Sequence, residues 1–275
     1  MRPLPGGYER IEHGGARVVL RSDLREALLA AGVSDPAELI ARQPASDKAG
    51  RAALARVELE GVGPVLVRAL TRGGLFGKLV RRLSWDPERA ESELSVSATA
   101  AQQGANVPTV LAAVTRSVAG GYLHGLVSQE LVGARDLVAV LREEQGRARS
   151  RALAAAGEAI RLLHEAGVDH VDLNLKNVLI DREGRGVVID LDRCRIGADP
   201  VSEDTRRRNL LRLYRSWVKL SVAEPASVAA WDPLRLARAY ARGERERLRA
   251  LVDAGRAASF WSHRLRWSLF PPRFR

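Results

Sequence analysis

The chain is poor in the residues that build stapled or membrane-spanning proteins. It holds one cysteine, Cys194, among 275 residues, which excludes an intramolecular disulfide and a cysteine-based zinc site. No run approaches the roughly eighteen consecutive apolar residues that a membrane-spanning helix needs. The opening MRPLPGGYERIEHGG carries no apolar signal segment, so the expected location is the cytosol or a membrane face bordering it. Aromatics make up only 5%, yet 46% of residues are hydrophobic, enough for a packed core and too many for a disordered chain. Acidic residues are in deficit: 44 Lys and Arg against 33 Asp and Glu leave a net charge of +11. Such a surplus favours an anionic partner, whether nucleic acid, a phospholipid surface or a phosphorylated substrate. It is equally what arginine-rich, GC-biased coding would produce, so charge alone does not choose.

Residues 1–45 read as an irregular start followed by two short helices. Ser22 is placed to cap the first, which runs to Gly32, and Ser34-Asp35-Pro36 opens the second. The alternating runs RAALARVELEG and PVLVRAL, split by Gly61-Val62-Gly63-Pro64, suit two antiparallel strands. A basic glycine loop, Thr71-Arg72-Gly73-Gly74, follows. Asp86-Pro87 opens a helix to about Gln103, and 109–115 with 122–131 form a strand pair turning at Gly120-Gly121. Helices are expected near 136–144 and 147–166, the latter with Leu153, Ala156, Ile160 and Leu163 on one face. Two short strands at 178–180 and 187–189 precede a region that is helical from about 203 onward. This order divides the chain into an N-terminal extension (1–45), a sheet-rich lobe (46–132) and a mostly helical lobe (133–275), an α+β arrangement.

The informative stretch is HEAGVDHVDLNLKNVLIDREGRGVVIDLDRCR at 164–195. It sets His170, Asp172 and Asn177 in an H-x-D-L-x-x-x-N spacing, with Asp190 at the end of the second short strand. Phosphoryl transfer calls for this combination: one carboxylate meets the acceptor hydroxyl, while an amide oxygen and a second carboxylate hold magnesium against nucleotide phosphates. Singly, each residue has a plainer reading. His170 alone is a structural histidine, Asp190 a turn residue, and Asp192 a partner for Arg193 or Arg195.

As a set they resemble the catalytic and metal-binding loops of the protein-kinase-like superfamily. The resemblance implies a bilobal α+β fold, with a small antiparallel-sheet N-lobe carrying one main helix and a mostly helical C-lobe. It also implies ATP and magnesium (Mg2+) as cofactors. Asp172 then corresponds to the catalytic aspartate, Asn177 and Asp190 to the metal ligands, and His170 to the histidine bracing the loop. Arg68 stands on the strand where the superfamily carries its phosphate-contacting lysine, and Lys78 is the alternative cation. Glu93 is placed to hold that cation, or is a solvated helix charge beside Glu91. Gly50, with the amides of 49–53, is the candidate phosphate loop, although no GxGxxG is present. Gln129-Glu130-Leu131-Val132 is the candidate hinge, with Glu130 and Leu131 offering backbone to adenine.

RALTRGGLFGKL, ELVGARDL, VDHVDLNLKNVLID, IDLDRCR and NLLRLYRSWVKL together resemble the 3-deoxy-D-manno-octulosonic acid (Kdo) kinase family, among the lipopolysaccharide core kinases. That resemblance implies phosphorylation of the Kdo sugar on a lipid A precursor by a peripheral enzyme on the cytoplasmic face of an inner membrane. No A-P-E segment follows Asp190, and Asn174 stands where protein kinases carry lysine, both of which suit a sugar acceptor over a peptide. Arg72, Lys78, Arg193 and Arg195 are candidates for a basic rim. The C-terminal SFWSHRLRWSLFPPRFR interleaves aromatics with arginines and suits either an anionic membrane surface or packing on the large lobe. Other acceptors, an inactive kinase-like scaffold and a nucleic-acid binder remain alternatives; no recognised nucleic-acid module is present, so no nucleic-acid partner is expected.

Overall fold

The computed structural model describes residues 3–42, 54–70 and 83–258. The expectation of an irregular N-terminus is corrected at once. Tyr8–His13 (β1) and Ala16–Arg21 (β2) pair as an antiparallel hairpin. Its turn is Gly14-Gly15, with φ of +58° and +73°. Consecutive positive φ angles are what a two-residue hairpin matched to strand twist requires, and glycine supplies them without strain. The first of the two short helices shrinks to Arg25–Ala30 (α1), and the second is Pro36–Arg42 (α2). Asp35 accepts the Glu38 N–H at 3.0 Å, capping α2 as its sequence suggests.

The hairpin joins a six-stranded antiparallel sheet with Leu54–Leu59 (β3), Gly63–Ala69 (β4), Val110–Val118 (β5) and Gly121–Gln129 (β6), in the order β1-β2-β5-β6-β4-β3. In β2, alternate side chains enter different cores. Val18 and Leu20 pack with Leu28, Val57 and Val127 on one face, while Val19 packs with Leu94, Val110 and Leu126 on the other. The near-continuous apolar run of β2 is therefore that of a strand covered on both sides. Leu94 belongs to Arg89–Gln102 (α3), the main helix of this lobe.

The helical lobe follows residues 130–134. Short strand Arg135–Asp136 (β7) leads into Leu137–Glu143 (α4), whose N-terminal Ala139 N–H donates to Asp136 at 2.8 Å. Gly146–Glu165 (α5) is the lobe's central helix, and Leu153, Ala156, Ile160 and Leu163 are all fully buried, as their spacing implies. Val168–Asp169 (β8), Val178–Ile180 (β9), Gly186–Val188 (β10) and Arg195–Ile196 (β11) form two small sheets, β10-β9-β7 and β11-β8. Glu203–Ala223 (α6), Asp232–Ala241 (α7) and Arg245–Ala257 (α8) complete the described residues.

At Gly157 of α5, a Cβ would lie 2.4 Å from the Leu236 carbonyl of α7. Helix backbone lies there instead of side chain, so relief demands that the two helices part. Gly157→Ala is expected to destabilise the protein by about 1–3 kcal/mol, read as a lower denaturant midpoint with an unchanged slope.

Candidate active site

His170 follows β8 directly and is completely buried. Its Nε2 lies 3.1 Å from the Ile189 carbonyl and its Nδ1 accepts the Asp172 N–H at 3.3 Å. Donation from one nitrogen and acceptance at the other define a neutral imidazole. Burial pushes its pKa below the ordinary histidine value, in agreement. The ring thus ties the 170–177 loop to the residue just before Asp190.

Asp172 is exposed, while its backbone is tightly held. The Asp172 carbonyl accepts from Nδ2 of Asn174 at 2.9 Å and of Asn177 at 3.0 Å. Asn174 Nδ2 also stands 3.3 Å from the Asp172 carboxylate. With its NH2 committed to Asp172, buried Asn177 has its amide oxygen to offer a cation. The Asn177 carbonyl accepts the Ile189 N–H at 2.9 Å, which brings Asn177 beside the Asp190 segment. From below, Ser216 Oγ of α6 accepts the Leu175 N–H at 3.1 Å, and Asn209 donates to Asp169 at 3.0 Å. These supports lie within NLLRLYRSWVKL, but nothing in its pattern marks Asn209 or Ser216 as props for the loop.

Arg68 of β4 donates to Glu93 of α3 and, at 3.0 Å, to Asp190. The structure therefore brings together three residues singled out from sequence; the additional link to Asp190 was not among the expectations. Neither Glu91 nor Glu93 is a solvated helix charge. Both are buried, Glu91 pairing with Arg10 of the hairpin and Glu93 with Arg68. Burial pushes the Glu93 carboxyl up to about 7, opposed by the Arg68 guanidinium and reinforced by Asp190 and Asp192.

Asp192 does not take Arg195 as its partner, nor chiefly Arg193, whose Nε is 3.8 Å away. Arg89, at the start of α3, engages both its carboxylate oxygens, Nε at 2.9 Å and Nη2 at 2.7 Å. This fork is the stronger geometry, and it spans a sequence separation that local spacing cannot reveal. Arg193 and Arg195 are exposed, as a basic rim requires. Cys194 is buried, and burial pushes its thiol up to about 12, so the sole cysteine is not a nucleophile at neutral pH.

At the connection between lobes, the Glu130 N–H donates to the Pro64 carbonyl at 2.9 Å and its carboxylate accepts from Arg56 at 2.5 Å. The Leu131 carbonyl accepts the Ala134 N–H at 3.0 Å. Glu130 is thus tied into the β3–β4 hairpin, leaving its carbonyl as the group it can offer a nucleotide edge. Gly50, Arg72, Lys78 and the tail at 259–275 lie outside the described residues. Among the described residues, no three His, Cys, Asp or Glu side chains cluster as a metal site. The donor set of Asn177 and Asp190 fits magnesium nonetheless, because that ion is commonly held by one or two protein oxygens with phosphates and waters supplying the rest.

The chain is 37% identical over 162 residues to the 3-deoxy-D-manno-octulosonic acid kinase of Vibrio parahaemolyticus, covering 56% of this chain and 64% of that protein. The Vibrio cholerae protein of the same name is 34% identical over 157 residues, 56% and 65% of the two chains. These matches span under two thirds of those relatives. A longer match, 33% identity over 232 residues, covers 82% of this chain and 89% of the protein of that name from Xanthomonas oryzae pv. oryzae. A solved structure of WaaP in complex with acyl carrier protein superposes with a TM-score of 0.53 at 20% identity, covering 87% of this chain and 98% of that one. This likeness bears out the kinase-like α+β architecture. The family model described as "Lipopolysaccharide kinase (Kdo/WaaP) family" matches residues 42–240, a stretch that contains Arg68, Glu93, Asp172, Asn177 and Asp190, and the chain belongs to that family.

Proposed function

We propose that the protein transfers the γ-phosphoryl group of ATP to a hydroxyl of the Kdo sugar on a lipid A precursor. The observation that carries this reading is the convergence of Arg68, Glu93 and Asp190 beside a loop whose Asp172 is exposed while its backbone is fixed by two amides. In the reaction, Asp172 orients the acceptor hydroxyl and accepts its proton as the new oxygen–phosphorus bond forms. The bond from the γ-phosphorus to the bridging oxygen breaks, and ADP leaves. Arg68 neutralises nucleotide phosphate oxygens from a position fixed by Glu93. Asn177 and Asp190 would hold magnesium, which when bound offsets charge on the nucleotide phosphates. His170 keeps the Asp172 loop and the Asp190 segment in register.

A substrate whose lipid lies in a bilayer requires an enzyme that meets the membrane from one side. The surplus of +11 supports peripheral attraction to the anionic cytoplasmic face of an inner membrane. Among the described residues no helix is long and apolar enough to cross a membrane. Exposed Arg193 and Arg195 follow the proposed metal carboxylate in sequence and suit a substrate bearing phosphates and a sugar carboxylate.

The deciding experiment is incubation with ATP, magnesium and Kdo-bearing lipid A precursor, followed by mass spectrometry. The expected product has gained one phosphate on the sugar. Transfer to a free aminoglycoside with none to the glycolipid would overturn the assignment of the acceptor.

The Glu93–Arg68 pair predicts a pH profile. Ionised Glu93 holds Arg68, and protonation releases that hold. With the Glu93 carboxyl at about 7, kcat/KM for ATP should fall as pH drops through 7, and Glu93→Gln should abolish this acid limb. Stability moves oppositely. A carboxyl raised in the folded state favours folding fully below its ordinary value of 4.5, and that contribution is lost as pH rises through 7. An unchanged acid limb in Glu93→Gln would assign it to another group.

A further inference from the structure

Helix α3 touches the 189–193 segment at two points, of which the Arg68-mediated one belongs to the site just described. The other is Arg89 with Asp192. Arg89 and Glu93 are one helical turn apart on the same face of α3. Glu93 reaches Asp190 through Arg68, and Arg89 reaches Asp192 directly through both carboxylate oxygens. Arg89 is buried, and the Asp192 side chain is only 19% exposed, so the pair is shielded from solvent screening far better than a surface bridge. On its other side, α3 is gripped by the N-terminal hairpin through Arg10 and Glu91. The helix is therefore a fixed post.

The segment it holds has an unusual backbone. Among the described residues only Asp190, Arg193 and Arg242 combine a side chain with positive φ, and the first two, at +66° and +61°, flank Asp192. Non-glycine residues visit this region rarely and stay there when surrounding contacts hold them. Leu191 is buried, its carbonyl accepts the Cys194 N–H at 3.0 Å, and Asp192 is the residue tied outward to α3. We propose that Arg89 and Asp192 are positioning residues, a two-pronged latch that holds the left-handed turn so that the Asp190 carboxylate is presented to the metal–nucleotide complex. The latch rests on the kinase reading above. It acts through Asp190 and touches neither acceptor nor nucleotide, so its loss weakens metal-dependent nucleotide binding selectively. Partners that orient a metal ligand carry effects of this kind, about 10–100-fold on affinity or activity.

The test is calorimetric titration of the full chain with a non-hydrolysable ATP analogue, once with magnesium and once with EDTA, for the wild type, Arg89→Gln, Asp192→Asn and the double variant. Each single substitution is expected to weaken magnesium-dependent binding about tenfold or more and to leave binding in EDTA unchanged. The double variant should be no worse than the weaker single, since both remove one interaction. Arg89→Lys, which keeps the charge and loses the fork, should fall between wild type and Arg89→Gln. If Arg89→Gln does not fold, the near-isosteric Asp192→Asn carries the test alone. Unchanged binding in the singles, equal losses with and without magnesium, or additive losses in the double variant would each overturn the latch while leaving the kinase reading intact. A wild type that binds no nucleotide would remove both.

Discussion

Asp172→Ala is expected to lower kcat by about two to four orders of magnitude, the range that a positioned general base contributes. ATP affinity should change little, because the proposed reaction assigns the Asp172 carboxylate to the acceptor and Arg68, Asn177 and Asp190 to the nucleotide. The loop should also survive the substitution. Its shape depends on the Asp172 carbonyl, held by Asn174 and Asn177, and on the Asp172 N–H, held by His170; all of these are backbone groups that alanine retains. The measurement is single-turnover transfer to the glycolipid beside nucleotide titration on the same preparation. A variant that transfers phosphate at the wild-type rate would show that the reaction needs no base at this position.

The second large effect concerns stability. Arg68→Met should destabilise the protein by about 3 kcal/mol at pH 8, the lower end for breaking a buried ion pair, because Arg68 keeps 27% of its side chain exposed whereas Glu93 keeps 2%. The damage comes chiefly from the anion left behind. Glu93 Oε2 is buried without a hydrogen-bond partner among the described residues, so removing Arg68 strips the carboxylate of its counter-charge. Lowering the pH should recover stability in Arg68→Met, since a neutral carboxyl tolerates burial better. The double variant Arg68→Met, Glu93→Gln should regain most of the loss at pH 8 without regaining phosphoryl transfer. Chemical denaturation at two pH values, set beside turnover, separates these roles. Equal stability of Arg68→Met at pH 6 and pH 8 would mean that Glu93 is not the source of the strain.

Elements with a local signature are legible in the sequence. The β3–β4 and β5–β6 hairpins follow from glycine turns between alternating runs, and α5 from its apolar period. The 170–177 loop can be read because its residue types stand at the short, rigid spacings that phosphoryl-transfer chemistry calls for. Arg68 and Glu93 are legible from their places on a strand and a helix. The structure sets them side by side, while their roles in catalysis remain with the experiments above. What escapes is of two kinds. Tyr8–His13 and Ala16–Arg21 alternate too weakly around Gly14-Gly15, since β2 is apolar on both faces and so imitates no simple half-buried strand. The Arg89–Asp192 fork and the Ser216 and Asn209 props join residues far apart in sequence. Charge pairing over such distances leaves no trace in composition or period, and local spacing matches Asp192 with its arginine neighbours instead.

The placement of the hairpin bears on anyone who trims this chain. The family match begins at residue 42, which tempts an expression fragment that starts there. Such a fragment would strip β5 of its neighbour β2, baring a row of unsatisfied amides and carbonyls that invites other molecules to dock edge to edge. It would also empty the space filled by Val18, Leu20 and Leu28 and unmoor α3 from Arg10. Aggregation of that fragment would then be a consequence of the cut, with no bearing on the proposed chemistry of the intact chain.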